Sequence, residues 1–211
     1  MTGSLFASDP GRYDRWYDRH PELYRAELAA LKRAGGDFPG GLEVGVGTGR
    51  FAAALGIRWG IDPAAAMLDL ARRRGCRVLR GEGEHLPFAD AAFGRVLLVT
   101  VLCFVRDPGR VIGEAFRVLR PGGELVLGII DPESELGRAT RARRDPDSFY
   151  ASARFLSVDE VLRLLPEKFR GEARIFQAIF PEEAGTDSSP AVEPGHGRGA
   201  FVAVSVPTPV G

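Results

Sequence analysis

The chain has 211 residues, and its 28 acidic side chains balance its 28 lysines and arginines, so that the formal net charge is zero. This length suits one α/β domain and is too short for two, and the balanced charge gives no reason to expect a nucleic-acid partner. The longest apolar run, residues 96–105, is too short to cross a membrane, and the start lacks a secretion-signal pattern, so we expect a cytoplasmic protein without a membrane partner.

Metal ligands and disulfide partners are not grouped in the sequence. Cys76 and Cys103 stand alone, and the three histidines, at positions 20, 85 and 196, are scattered. Zinc sites and disulfide frameworks need cysteines and histidines at characteristic spacings. We therefore predict no metal site.

The first predicted elements are helices over residues 6–31. Pro21 can occupy the first turn of a helix, so the pattern predicts two short helices that meet near residue 20. Two interpretations remain open. The helices cap one edge of a sheet, or they form a lid whose Tyr13 or Tyr17 covers a ligand.

The next stretch, residues 42–51, has the sequence LEVGVGTGRF. It is predicted to be an apolar strand that carries Glu43 and turns through Gly45, Gly47 and Gly49 into a helix. Glycine has no Cβ and tolerates positive φ, so a nucleotide-like ligand can approach this backbone closely. The free amide groups at the start of the helix would point towards that ligand.

The glycine spacing indicates which ligand fits. A dinucleotide fingerprint, GxGxxG, needs a third glycine at position 50, where this chain has Arg50, and the Lys-Ser/Thr pair of a P-loop is also absent. The turn therefore suits a ligand without a pyrophosphate. By itself, a glycine-rich turn also fits a simple tight connection between a strand and a helix.

Further strands follow, and acidic residues come after three of them. Strands predicted over residues 58–61, 76–80 and 124–130 lead to Asp62, Glu82 and Asp131 or their neighbours, and a strand predicted over residues 95–101 carries Thr100 near its end. The strands are nearly continuous apolar runs that alternate with helices, which favours a parallel sheet covered on both faces. The carboxyl ends of such strands lie at one edge, where ligands bind.

The end of the chain is less regular. Residues 132–155 show no clear pattern, and Ser157 and Glu160 then form a capping box that opens a helix. Two last strands, over residues 172–180 and 200–206, are joined by a long loop rich in proline and glycine. Loops of this length in small domains are more often functional or mobile than idle.

Four separated motifs agree in order and spacing with a known family. They are EVGVGTG at 43–49, GIDP at 60–63 followed by Met67, GEGEHLPF at 81–88, and RVLRPGG at 117–123. With these motifs the chain resembles the class I S-adenosylmethionine (SAM)-dependent methyltransferases, in the branch similar to ubiquinone and menaquinone biosynthesis methyltransferases. The resemblance covers residues 42–131.

The resemblance implies a fold and a division of the chain. The fold is a Rossmann-like α/β architecture: a seven-stranded, mostly parallel sheet with an antiparallel last strand, helices on both faces and an N-terminal helical lid. All 211 residues would form one domain. Its parts would be an N-terminal helical cap (1–38), a SAM-binding core (42–131) and a substrate-side insertion with the last two strands (132–211).

The resemblance also implies a cofactor site for SAM, which leaves as S-adenosylhomocysteine (SAH). Glu43 and the glycine turn would face the methionine and ribose, Asp62 would hold the ribose hydroxyls, and Glu82 would approach the adenine. Here the chain departs from the family, which usually has Asp at 82, Ala at 83 and Asp at 94. The full set of expected cofactor-binding residues is Tyr13, Tyr17, Glu43, Gly45, Gly47, Gly49, Asp62, Pro63, Met67, Gly81, Glu82 and Thr100.

No catalytic residue is evident from the motifs. A thiolate or carboxylate acceptor needs only orientation, whereas a protonated amine or a phenol needs a base within hydrogen-bonding distance. The candidates lie after strands or in loops at the ligand edge: Cys103, Asp131, Tyr150 and His196.

We therefore predict methyl transfer from SAM to a small-molecule acceptor by a monomer or homodimer. Two alternatives remain. One is a non-catalytic SAM-binding or regulatory protein, because no catalytic residue stands out. The other is an NAD-dependent oxidoreductase, which Arg50 disfavours.

Overall fold

The computed structural model describes residues 9–142, 150–180 and 190–210. The strands in this part are β1 Leu42–Val44, β2 Trp59–Asp62, β3 Arg77–Arg80, β4 Phe93–Val99, β5 Leu119–Ile130, β6 Arg174–Ala178, β7 Glu193–Pro194 and β8 Phe201–Pro207. The helices are α1 Pro10–Arg19, α2 Pro21–Gly35, α3 Arg50–Leu55, α4 Ala65–Arg73, α5 Pro108–Val118, α6 Glu135–Ala142, α7 Val158–Leu164 and α8 Glu167–Arg170.

The strands form one sheet in the order β3-β2-β1-β4-β5-β8-β6-β7. Strands β1 to β5 pair in parallel, and β8 runs antiparallel between β5 and β6. The predicted Rossmann-like, mostly parallel sheet is thus confirmed. Strand order reverses between β1 and β4, and this switch point is where ligands bind in open α/β sheets.

The sheet has one strand more than the predicted seven. The additional strand is β7, which has two residues and pairs antiparallel with the outer side of β6 through Phe176 and Gln177. So short a strand has no apolar alternation that could predict it. It forms because Gln177 accepts hydrogen bonds from the amides of Arg198 and Gly199 and so holds the segment after β7 against β6.

Helices cover both faces of the sheet, as predicted. On one face, Val111 and Ala115 of α5 and Val161 of α7 pack against β4, β5 and β8. On the other face, Leu31 of α2 and Phe51 of α3 belong to a second buried cluster with α1 and α4. Both clusters are almost wholly excluded from solvent, and they fix the sheet between two layers of helices.

Local signals explain where several helices begin. Asp9 caps α1 by accepting a hydrogen bond from the Arg12 amide at 2.8 Å, and α1 ends at Arg19, with His20 between it and Pro21, which opens α2. The two predicted N-terminal helices are therefore confirmed. The capping box of α7 is also present, since Ser157 and Glu160 bond each other's backbone amides.

Strand β5 is longer than the predicted 124–130 and begins at Leu119. Leu119 pairs with Phe93, and the register then shifts before Glu124 pairs with Arg95. The intervening residues include Gly122, which has φ +70° and donates its amide to the Pro209 carbonyl at 2.8 Å. The segment that ends α5 thus bulges out of the strand without leaving the sheet.

Several sequence predictions concern residues outside the described ranges. These are the first part of the N-terminal cap, at 1–8, part of the irregular segment, at 143–149, and most of the long loop before β8, at 181–189. Within the described ranges, no helix combines the length and apolar character needed to span a bilayer.

Candidate active site

A cavity of about 630 Å³ opens at the carboxyl edge of the sheet, at the switch point. Its wall is built from the ends of β1, β2 and β4, the turn after β3 and the first residues of α4, with Tyr13 of α1 and Tyr150 closing one side. The volume lies within the range of about 300–1,000 Å³ that is usual for small-molecule sites. The strands thus deliver the predicted motifs to one place.

The glycine turn after β1 follows the predicted conformation. Gly45, Gly47 and Gly49 all have positive φ, at +72°, +52° and +81°. A Cβ at Gly45 would lie 2.2 Å from Val101 Cγ2, whereas a Cβ at Gly47 would meet no atom within 4 Å. Gly45 is therefore required by packing, and Gly47 leaves open space on the cavity wall.

Asp62 is held in one orientation beside this turn. Its Oδ2 accepts a hydrogen bond from the Gly47 amide at 3.0 Å, and its Oδ1 accepts one from the Ala64 amide at 2.8 Å. Burial raises the pKa of Asp62, although both amides favour the charged form. The carboxyl group thus joins the turn after β1 to the start of α4 and remains on the cavity wall.

Glu43 occupies a different position, behind the turn. Its side chain is buried, and Oε2 has no hydrogen-bond partner in the described part of the chain. Burial raises the pKa of Glu43 well above its ordinary value, while a bond from the Ala52 amide partly offsets this effect. Glu43 thus contacts the first turn of α3 from within the core.

The turn after β3 brings two more acids to the cavity. Glu82 is half exposed and pairs with Arg106 Nη2 at 2.8 Å, and Glu84 accepts the Arg106 amide at 3.0 Å. Arg106 therefore joins this turn to the segment after β4. Glu82, the acid predicted to approach the adenine, therefore lies on the cavity wall and is paired with Arg106.

Thr100, directly after β4, has a strained backbone. Its φ is +51°, which is a genuine outlier for a β-branched residue. The Thr100 amide donates to the Gly128 carbonyl at 2.8 Å, and its side chain is hydrogen-bonded to Tyr150. Strain of this kind persists where surrounding contacts enforce it, and it is most common at functional sites.

An aromatic group forms the side of the cavity next to Thr100. The ring of Tyr150 stacks on Phe104 with a centroid distance of 6.0 Å, and Tyr13 enters from α1. No sequence motif predicted Phe104 as a site residue. The segment between β4 and α5 that carries it has no motif, and its only signal was the apolar run that begins in β4.

The predicted cofactor residues divide into two groups. Tyr17, Glu43 and Gly49 lie behind the cavity wall. The others line it: Tyr13, Gly45, Gly47, Asp62, Pro63, Met67, Gly81, Glu82 and Thr100.

Of the four catalytic candidates, Tyr150 reaches the cavity wall. His196 is exposed and follows β7, the outermost strand on the side of the sheet away from β3. Asp131 is buried, with Oδ1 accepting the Glu133 amide and Oδ2 without a partner among the described residues. Burial raises the pKa of Cys103 to about 12, and its thiol donates to the Thr100 carbonyl. The structure thus does not bring His196 or Asp131 to the cavity.

Glu27 of α2 is a buried acid that was not predicted from the sequence. Its side chain accepts a hydrogen bond from the Tyr17 hydroxyl at 3.2 Å, and Tyr17 in turn accepts one from Tyr13 at 3.4 Å. Burial raises the pKa of Glu27 to about 8, and the Tyr17 bond lowers it in part. The available signal was an acid between Ala26 and Ala30 on the apolar face of α2.

The chain is similar over most of its length to several known proteins. The family model described as "Methyltransferase domain" matches residues 42–127. An uncharacterised protein of Methanocaldococcus jannaschii is 42% identical over 96% of this chain and 98% of its own length. An uncharacterised protein of Mycobacterium tuberculosis is 40% identical over 97% of this chain and 74% of its own length.

Solved structures extend the comparison. A Thermotoga maritima SAM-dependent methyltransferase, described as a "possible histamine N-methyltransferase", is 39% identical, covers 98% of this chain and 99% of its own, and superposes with a TM-score of 0.90. The [4+2]-cyclase SpnF shares the fold alone, with 18% identity over 87% of this chain and 80% of its own and a TM-score of 0.59. The likeness to the Thermotoga structure includes the elements on both sides of the cavity.

Proposed function

The chain belongs to the SAM-dependent methyltransferases, and from this premise we propose that it transfers the methyl group of SAM to a small-molecule acceptor held beside Tyr13, Phe104 and Tyr150. One observation carries the proposal. The carboxyl group of Asp62, fixed by two backbone amides, borders a cavity whose wall is left open at Gly47.

The residues present fit SAM. Asp62 has lone pairs to accept hydrogen bonds from both ribose hydroxyls, and the open space at Gly47 admits a ligand close to the backbone. Glu43 lies behind the same turn and outside the cavity lining, so it is not among the residues that would contact SAM directly.

The bound cofactor supplies a methyl group that its sulfonium has already activated. The protein then has to align the acceptor with the methyl carbon and to exclude water. Tyr13 and Tyr150 close the side of the cavity where an acceptor would enter, and Phe104 supports the ring of Tyr150. Their rings offer an apolar surface to the acceptor and fixed hydroxyls to its polar groups.

Two observations support a small acceptor. The cavity of about 630 Å³ has to hold both the cofactor and the acceptor. The similar Thermotoga maritima protein is described as a possible histamine N-methyltransferase, and this description supports a small amine as the first acceptor to test.

The test is to incubate the purified protein with methyl-labelled SAM, using histamine and a fractionated lysate as acceptors. We expect label in histamine or in the small-molecule fraction, where mass spectrometry identifies the product. Label confined to protein or nucleic acid would overturn the substrate class. SAH binding without any labelling would indicate a regulatory protein instead.

Replacing Asp62 by Asn tests the cofactor site directly. The amide keeps the size of the side chain but loses its charge and one acceptor, so we expect SAH affinity to fall by about 10- to 100-fold, from loss of a charged hydrogen bond worth about 1.5–3 kcal/mol. Calorimetric titration with SAH measures this affinity. Asp69→Asn is the matched control, because Asp69 pairs with Arg72 on the exposed side of α4. Equal affinities for both variants would contradict the assignment.

A further inference from the structure

A line of hydroxyl groups leads from the cavity into the core. Tyr13 lines the cavity, and its hydroxyl donates to the Tyr17 hydroxyl at 3.4 Å. Tyr17 then donates to Glu27 Oε2 at 3.2 Å. Both donors point the same way, from the cavity towards the carboxyl group. We call this set, Tyr13, Tyr17 and Glu27, the relay.

We propose that Glu27 receives, through the hydroxyls of Tyr13 and Tyr17, the proton that the methyl acceptor loses. This inference rests on the proposed function, because it concerns the acceptor of the methyl group. It assigns a catalytic role to Tyr13, which faces the acceptor. Behind the cavity wall, Tyr17 has a positioning role and Glu27 accepts the proton. It also specifies the acceptor as an amine or a phenol, whose reacting atom carries a proton.

The proton transfer balances without another reactant. The acceptor atom forms a bond to the methyl carbon, and the carbon–sulfur bond breaks with its electron pair remaining on sulfur. The acceptor's proton passes to Tyr13 Oη, the Tyr13 proton to Tyr17, and the Tyr17 proton to the Glu27 carboxylate. SAH and a neutral methylated product remain, and Glu27 later returns its proton to solvent.

Packing fixes the geometry of the relay. Tyr17 is 2% exposed, and its ring makes edge contacts with Tyr13, Tyr24 and Phe51 at centroid distances of 5.2–5.8 Å. Its hydroxyl oxygen is therefore held beside Glu27. The 3.4 Å separation of the two hydroxyls is long for a hydrogen bond, but catalytic hydrogen bonds commonly shorten once the ligands are bound.

Protonation behaviour distinguishes the three members. Burial raises the pKa of both Tyr13 and Tyr17 above the ordinary value for tyrosine, so both phenols keep their protons near neutral pH. Burial also raises the pKa of Glu27 to about 8, close to the pH at which a general base is most effective. Glu27 is therefore the member that accepts the proton, and the tyrosines transfer it.

The surroundings of Glu27 are phenolic rather than cationic. Tyr13 and Tyr17 face it from α1, Tyr24 lies on its own helix, and Tyr150 faces it from the segment before α7. Arg50 of α3 lies over the ring of Tyr17, 5.7 Å from its centroid, and its guanidinium is engaged by Asp14. The charge of Glu43 on β1 also raises the pKa of the Tyr13 phenol. These groups leave desolvation as the main influence on Glu27.

The test compares Tyr13→Phe, Tyr17→Phe and Glu27→Gln with Tyr24→Phe. Tyr24 belongs to the same aromatic cluster, but its hydroxyl donates to the Arg50 carbonyl at 2.9 Å and lies outside the relay. SAH binding and thermal unfolding establish that each variant folds. Methyl transfer is measured between pH 6 and 9 with histamine and with the small-molecule fraction that the wild-type protein labels.

We expect each relay variant to lose about 100-fold in kcat, which is typical for loss of general-base catalysis. SAH affinity should stay within about threefold in Tyr17→Phe and Glu27→Gln, whose side chains lie behind the cavity wall. The wild-type rate should rise as Glu27 deprotonates near pH 8. That rise should disappear in Glu27→Gln. Tyr24→Phe should retain the wild-type rate and pH profile. A wild-type rate for Tyr17→Phe at every pH would overturn the relay and leave the proposed function standing.

A second readout needs no acceptor. Infrared spectra should show a protonated carboxyl band that disappears with a midpoint near pH 8 and is absent from Glu27→Gln. Because the Tyr17 bond favours the charged form, Tyr17→Phe should move this midpoint to higher pH, whereas Tyr24→Phe should not. A midpoint below pH 6 would overturn the relay. If the wild-type protein binds SAH but labels no small molecule, the proposed function fails, and the relay fails with it.

Discussion

At the scale of single residues, the cavity wall depends on backbone conformations that few side chains tolerate. The turn after β1 uses positive φ at alternate positions, and Thr100 adopts positive φ despite its branched side chain. The two glycines Gly45 and Gly47 differ in the space around them. Gly45 lacks room for a Cβ because Val101 packs against it, whereas Gly47 has room that a ligand can use.

This difference predicts that two similar substitutions will differ in their effects on stability and on SAH binding. Gly45→Ala should lower the free energy of unfolding by about 2–4 kcal/mol, from left-handed strain together with overpacking against Val101. Gly47→Ala should cost about 1–2 kcal/mol, from strain alone, yet weaken SAH binding, because its methyl group would stand on the cavity wall. Urea unfolding and calorimetry measure the two effects.

The control for this pair is Gly113→Ala. Gly113 lies inside α5, and a Cβ there would meet no atom within 4 Å. The substitution should therefore stabilise the protein by about 0.5–1 kcal/mol through better helix propensity. If Gly45→Ala were as stable as Gly47→Ala, the packing account of this turn would be wrong.

At the scale of elements, the feature that organises the site is the attachment of α1 over the glycine turn. Asp14 of α1 accepts hydrogen bonds from Thr48 Oγ1 at 2.7 Å, Arg50 Nε at 2.8 Å and Arg74 Nη2 at 2.6 Å. Burial alone would raise the pKa of Asp14, but these bonds outweigh it and lower the pKa. Arg50, where a dinucleotide fold would have glycine, therefore serves to hold α1.

We predict that Asp14→Ala releases α1 while the rest of the fold persists. Removing the carboxylate takes the shared partner from two partly buried arginines, although Arg50 still pairs with Asp18, and we expect a loss of about 1–3 kcal/mol. Amide hydrogen exchange over residues 9–20 should therefore become faster. Exchange in β4 and β5 should not change.

Asp69→Ala is the comparison for this variant, because the Asp69–Arg72 pair is exposed and such pairs contribute about 0–1 kcal/mol. Unchanged protection of α1 in Asp14→Ala would show that apolar packing of Tyr17 and Trp16 is sufficient to hold the helix. In that case Asp14 would not be the attachment point.

At the scale of the whole molecule, the interior contains carboxyl groups whose pKa is raised. Burial raises the pKa of Glu27, Glu43 and Asp62. Each of these groups binds more protons in the folded than in the unfolded chain between its two pKa values, so stability falls as pH rises through that window. Carboxyls with a lowered pKa, such as Asp14, lose their contribution only in more acidic solution.

The free energy of unfolding should therefore decrease between pH 5 and pH 8. For Glu27 the window runs from the ordinary 4.5 to about 8, and one such group contributes a slope of about 1.4 kcal/mol per pH unit. Urea unfolding at several pH values measures the slope. Glu27→Gln, which cannot ionise, should reduce it by about that amount, and an unchanged slope would mean that Glu27 titrates normally.

Much of the fold followed from short-range patterns. Pro21 and the capping box of Ser157 and Glu160 mark helix starts through a fixed φ and side-chain caps, and the apolar runs predict the strands. The parallel order of those strands then places Asp62 and Glu82 at one edge. These features could be read from the sequence because each depends on residues only a few positions apart.

The tertiary structure alone decided which side chains meet across the cavity. Tyr13 and Tyr150 share one wall, Asp14 bonds Arg74, and His196 lies at the far edge of the sheet. No local pattern encodes these outcomes, since they depend on how helices from distant parts of the chain pack on the sheet. The burial of Glu27 has the same origin: its environment is built by α1, which has its own sequence signals, and desolvation appears only once the two helices pack.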